Sequence, residues 1–198
     1  MKQVPFVKLE PGGYYHIYNR GNNKETIFKE PRNYSYFLSL WVKYIEPVAK
    51  TYCYNLLPNH FHFFIRVEEI EHASPSAYIS RAFSNFFNAY AKAINRKYSR
   101  TGSLFQERFR RKEITSDAYF TAIIGYILTN QVKHGYSNSA LTSPYAAYKS
   151  LISDKPTRLL RDEVLQWFNS KEAFINYIKS YQEDILYRKL LLENDDDD

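Results

Sequence analysis

His60 and His62 flank one apolar residue in the run Pro58-Asn59-His60-Phe61-His62-Phe63-Phe64-Ile65. On a β-strand, side chains alternate faces at about 3.3 Å per residue, so the two imidazoles point the same way with Cα atoms roughly 6.6 Å apart. Phe61, Phe63, Ile65 and Val67 then point the other way, into a core. Such a strand offers two nitrogen ligands to one metal ion from a rigid platform. A second pair of reactive groups lies further along, at Tyr126 and Asn130. Residues four apart share a helix face. A phenol, which can form covalent intermediates, and an amide oxygen, which can ligate a metal, therefore project together. Laying this helix over the histidine face brings two imidazoles, one amide oxygen and one tyrosine hydroxyl into one place. His134 competes with Asn130 as third ligand, although a histidine at a helix C-terminus also suits the helix dipole.

The elements that position these groups follow from periodicity and punctuation. Residues 14–20 read as a strand between Gly12-Gly13 and Gly21-Asn22-Asn23. Residues 31–45 read as an amphipathic helix, with Tyr34, Phe37, Leu38, Trp41 and Ile45 on its apolar side and Pro31 in its first turn. Residues 50–57 and 60–67 read as two strands joined at Pro58-Asn59. A long helix over 74–98 has the buried stripe Ile79, Phe83, Phe86, Phe87, Tyr90 and Ile94. The second part of 105–115 reads as a fourth strand. Ser116 or Asp117 caps a helix that ends at His134-Gly135, with glycine in the C′ position. The order β-α-β-β-α-β-α over residues 1–135 predicts an α+β, ferredoxin-like (split βαβ) antiparallel sheet with helices on one face. Residues 136–192 read as a helical C-terminal extension, with helices over 161–168 and 171–192, and residues 193–198 as an acidic disordered tail.

The net charge is +6 although the chain ends in four aspartates, so the body is basic and favours a polyanionic partner. The 19 tyrosines and 14 phenylalanines either build the core or, beside Lys and Arg, stack single-stranded bases. One cysteine, Cys53, excludes a disulfide framework within the chain and reads as buried and inert. Residues 1–13 lack the apolar stretch of a signal peptide, and no apolar run approaches the roughly 20 residues needed to span a bilayer. A reducing cytoplasm is expected, with no membrane and no small-molecule substrate.

The chain resembles the REP-associated tyrosine transposases, within the single-tyrosine HUH transposase family, over residues 14–148. The resemblance rests on Tyr15-His16-Ile17-Tyr18-Asn19-Arg20-Gly21, Leu57-Pro58-Asn59-His60-Phe61-His62, Gly102-Ser103-Leu104-Phe105-Gln106-Glu107-Arg108-Phe109, and the Tyr-x-x-x-Asn helix ending in Val132-Lys133-His134-Gly135. Gln131 departs from it, because many relatives have proline there. The resemblance implies cleavage and rejoining of single-stranded DNA beside hairpins through a 5′-phosphotyrosine link. It implies Tyr126 as nucleophile, and His60, His62 and Asn130 as ligands of Mg²⁺ or Mn²⁺, in a protein that acts as a monomer or homodimer. Two imidazoles alone suit zinc-like metals. An amide with phosphate or water oxygens suits the harder cations.

Asn19 and Arg20 follow the first strand and are candidates for hairpin contact. Arg108, Arg110, Arg111 and Lys112 are candidates for phosphate contact. On one continuous strand Arg108, Arg110 and Lys112 would share a face; the alternative is a solvated edge strand. Arg81, Lys92, Arg96, Lys97 and Arg100 read chiefly as the wet face of the long helix. His16 reads as a strand residue with a structural or DNA-facing role. Two other readings stay open: a non-catalytic nucleic-acid-binding module of the same fold, and an HUH replication initiator or relaxase.

Overall fold

The computed structural model describes residues 7–195. Strands β1 (Tyr14–Arg20), β2 (Ala49–Leu57), β3 (His60–Val67) and β4 (Arg110–Glu113) form one antiparallel sheet in the order β2-β3-β1-β4. β1 therefore lies between β3 and β4. Its register sets Arg20 opposite His60 and Tyr18 opposite His62 on one side, and Tyr18 opposite Arg110 and His16 opposite Lys112 on the other.

Helices α1 (Pro31–Tyr44) and α2 (Pro75–Lys97) cover one face of the sheet. The alternation of β3 sends Phe61, Phe63 and Ile65 into this layer, where all three are fully buried. Trp41 stacks on Phe63 with centroids 3.6 Å apart, and Phe37 meets Phe61 and Phe86 at 5.0 and 4.8 Å. The buried side of α2 is Ile79, Phe83, Phe86, Tyr90 and Ile94, at the spacing of three and four that one helix face requires. Phe87, expected in that stripe, packs at its margin. Each fully buried ring contributes about 2–3 kcal/mol of transfer free energy.

The antiparallel α+β sheet is as expected, but helices flank both of its faces rather than one. Tyr52, Cys53 and Phe64 present apolar surface on the second face, and a register shift between Thr51 and Cys53 turns two successive residues toward it. Helix α3 (Asp117–Lys133) covers them with Phe120, Ile124, Ile127 and Leu128. This helix is apolar around most of its circumference and needs cover on its outer side too. Helix α6 (Lys171–Asp195) supplies it through Phe174 and Ile178. The approach is close: a Cβ added at Gly125 would lie 2.9 Å from the rings of both Tyr177 and Tyr181.

The rest of the extension lies along the free edge of β2. Leu56 N–H donates to Tyr145 O at 3.0 Å, Ala147 N–H to Tyr54 O at 2.9 Å, and Leu160 N–H to Thr51 O at 2.9 Å. Between these contacts runs α4 (Tyr148–Ile152), too short for periodicity to reveal, followed by α5 (Arg161–Trp167). Residues 193–195 fall within the bounds of α6; the rest of the expected acidic tail lies outside the described residues. Among the described residues no helix is long and apolar enough to cross a membrane.

Candidate active site

The hairpin β2–β3 places His60 and His62 on the α3 side of the sheet, both buried, with ring centroids 5.2 Å apart and planes nearly perpendicular. Above them α3 carries Tyr126 and, one turn on, Asn130. The Tyr126 ring stands edge-on to His62 at 5.6 Å. Asn130 is fully buried, and its Oδ1 lies 3.2 Å from His60 Nε2. The four residues singled out by spacing are thus brought together.

Three features hold α3 in this position. Asn55 of β2 donates to Ile127 O at 2.8 Å, and Gln131 donates to Asn55 Oδ1 at 2.8 Å and to Ser143 Oγ at 2.5 Å. Gln131 therefore points at β2 and the extension, away from the imidazoles. At the C-terminus, Tyr136 N–H bonds to Gln131 O and Gly135 N–H to Val132 O, with Gly135 at φ +71°. This is a Schellman ending, and glycine takes the left-handed conformation at least cost. On the outer side, α6 packs against Gly125.

Each histidine has its Nδ1 engaged. His60 Nδ1 lies 2.6 Å from Asn59 Oδ1, and His62 Nδ1 lies 2.9 Å from His16 Nε2. Asn59 Nδ2 donates to Lys24 O at 3.3 Å, which leaves its Oδ1 to accept from His60. His60 Nε2 then holds a lone pair facing the Asn130 oxygen, an opposition that a shared cation relieves. His62 Nε2 and Asn130 Nδ2 are buried with no hydrogen-bond partner among the described residues. Among those residues no group of three or more His, Cys, Asp or Glu is placed to hold a metal. A cation here would rest on His60, His62 and the Asn130 oxygen. That N,N,O set with room for further oxygens fits a divalent ion.

Burial keeps these imidazoles neutral, as metal ligation requires. It is the main cause that lowers His60 to about 4, against the Asn130 contact that favours its charged form. Burial, then the proximity of His16 and His60, holds His62 well below the usual histidine range. Burial and the Lys112 charge lower His16 to about 3.

The site opens into a cleft of about 180 Å³, lined by the two histidines, Tyr126, Tyr18, Asn19, Arg20, Gln106, Arg110 and His134. Of the candidate DNA contacts, Asn19, Arg20 and Arg110 line it. Lys112 is cross-strand to His16 on the same face, with its ammonium 5.1 Å from the Tyr119 ring. Arg111 lies on the opposite face, over the Phe109 ring at 4.5 Å. Arg108 has φ +56° and precedes β4, so it does not share the face of Arg110 and Lys112. His134 reaches the cleft with its ring 4.8 Å from that of His60.

Sequence reasoning missed three neighbours. Tyr18 stacks against His62 at 5.7 Å, and its alternation with His16 on β1 was the available signal. Lys133 stands over the Tyr126 ring at 5.0 Å, and its place two turns on along the same helix face was the available signal. The contact of Asn59 with His60 had no signal beyond adjacency.

No family model and no curated protein matches the chain. Among solved structures it is similar to a REP-associated tyrosine transposase bound to a REP hairpin, at 16% identity and a TM-score of 0.62, over 79% of this chain and 89% of the other. That likeness shows a shared fold, which the chain carries over most of its length.

Proposed function

We propose that the protein is a metal-dependent single-stranded DNA transesterase of the single-tyrosine HUH type, nicking and rejoining DNA beside REP-like hairpins. The observation that carries this reading is the meeting of Tyr126 with the His60–Asn130 pair and the unpartnered His62 Nε2 in one basic-rimmed cleft. The fold shared with a transposase solved on a REP hairpin supports it. Residues 1–135 form the catalytic core in this reading, and 136–192 brace α3.

Tyr126 Oη attacks the scissile phosphorus and forms a P–O bond, while the P–O3′ bond breaks. The phenol proton goes to solvent and the departing 3′-oxygen gains one, so the step is balanced and leaves a 5′-phosphotyrosine and a free 3′-hydroxyl. A free phenol titrates near pH 10, so the attack needs assistance at neutral pH. When bound, Mg²⁺ or Mn²⁺ would polarise the phosphate and stabilise the leaving oxygen. A second DNA 3′-hydroxyl then attacks the same phosphorus and releases Tyr126, with no external energy source. Arg20 and Arg110 at the cleft supply positive charge to phosphates, and Asn19 supplies an amide.

The test is intact-mass analysis after incubation with single-stranded hairpin DNA from the flanks of the gene, with Mn²⁺. A covalent adduct that maps to Tyr126 and vanishes in Tyr126→Phe is expected. Hairpin binding with no adduct would replace this reading with the non-catalytic binding module.

A further inference from the structure

We infer that His16 is a positioning residue for the metal centre: it accepts a hydrogen bond from His62 and so fixes the tautomer that offers the His62 Nε2 lone pair to a cation. This rests on the metal-site reading above. A neutral imidazole carries its proton on one nitrogen and a lone pair on the other. If Nε2 of His62 is to ligate, its proton must sit on Nδ1, and a buried N–H needs an acceptor. The atom within reach is His16 Nε2, at 2.9 Å. His16 therefore accepts through Nε2 and keeps its own proton on Nδ1.

The strand register makes this possible. His16 is cross-strand to Phe64, which places it diagonal to His62 on the same sheet face, within reach of a long side chain. Its ring is held by a stack on Tyr18 at 4.7 Å, a stack on His62 at 5.1 Å and the edge of Tyr126 at 5.8 Å. The second ligand is served in the same way from another element, by Asn59 Oδ1 at 2.6 Å from His60 Nδ1. Two ligand imidazoles thus have two separate acceptors. Outer partners of this kind usually matter 10–100-fold to metal affinity.

The experiment compares wild type, His16→Phe and His16→Gln. Phenylalanine keeps a ring for the Tyr18 stack but has no acceptor; glutamine restores an amide oxygen. Mn²⁺ affinity is measured by calorimetry, and the His62 tautomer by long-range ¹⁵N–¹H NMR of the metal-free protein. His16→Phe should lose about 10–100-fold in Mn²⁺ affinity and show mixed His62 tautomers. His16→Gln should recover most of the affinity and the Nδ1–H form. Wild-type affinity in His16→Phe, or a glutamine variant as weak as the phenylalanine one, would overturn the assignment. A His60→Ala control identifies the other failure: if it leaves Mn²⁺ affinity unchanged, the metal-site reading falls, and the inference with it.

Discussion

Asn55 of β2 and Gln131 of α3 are joined by a 2.8 Å hydrogen bond in the interior, and Asn55 passes its own amide hydrogens to the helix backbone at Ile127. This pair sets the rotation of α3 on the sheet, and with it the side from which Tyr126 and Asn130 meet the histidines. Either single change, Asn55→Leu or Gln131→Leu, leaves a buried polar partner unsatisfied and should cost about 1–3 kcal/mol. The double change removes both partners. It should cost less than the sum of the two singles, by a coupling measurable in urea unfolding. Strict additivity would show that the two side chains do not act as a unit.

The buried histidines make stability depend on pH. An unfolded imidazole takes up a proton near pH 6.5, whereas folded His60 does so near 4 and folded His16 near 3. Between these limits the unfolded chain binds more protons, so stability rises with pH. The slope is up to about 1.4 kcal/mol per pH unit for each group. The metal-free protein should therefore be less stable at pH 5 than at pH 7. Urea midpoints at the two values check this, and a His60→Gln/His62→Gln double variant should show a flatter dependence. Equal pH dependence in the variant would place the effect elsewhere.

Gly125 lets α6 lie directly on α3. In most helix interiors, replacing glycine by a larger residue gains helix propensity. Here the added atoms meet Tyr177 and Tyr181. Gly125→Val should cost about 1–3 kcal/mol through overpacking. That is a Tm lower by roughly 2–4 °C for each kcal/mol in a domain of this size. A Tm at or above that of wild type would mean that α6 moves aside without cost.

The basic stretch before α3 divides between the two faces of the sheet. Arg110→Ala/Lys112→Ala should weaken single-stranded DNA binding and reduce the magnitude of its log–log salt slope by about 1.4. Arg111→Ala should leave the slope unchanged and lower stability instead, because Arg111 packs on Phe109 from the other face. Salt titrations of hairpin binding, beside thermal melts, separate the two. Identical slopes for all variants would remove Arg110 and Lys112 from the path of the DNA.

The strands and the long helices were legible because their apolar spacing is local: β3 and α2 carry their periods within their own residues. The shared face of Tyr126 and Asn130 was legible for the same reason. What could not be read depends on contacts distant in the chain. The proximity of His16 to His62 needs the β1–β3 register, which joins residues 46 positions apart with α1 and β2 between them in the chain. The placement of Arg108 and Arg111 turned on where β4 begins, and a positive φ at Arg108 delays that start. The role of Gln131 was hidden because its partners are a buried residue of β2, Asn55, 76 positions away, and Ser143, 12 positions on in a loop with no periodicity to place it.

Strand β3 is a ruler. Its odd-numbered rings fill the layer against α1 and α2, and its even-numbered imidazoles face the cleft. A point replacement disturbs one face and spares the other. A single inserted or deleted residue exchanges the two faces at once, turning histidines into the aromatic interior and phenyl rings into the cleft. The strand can change composition by degrees, but its length is all or nothing. In a deep scan of insertions and deletions, the gap between tolerated substitutions and forbidden length changes should be widest from His60 to Ile65.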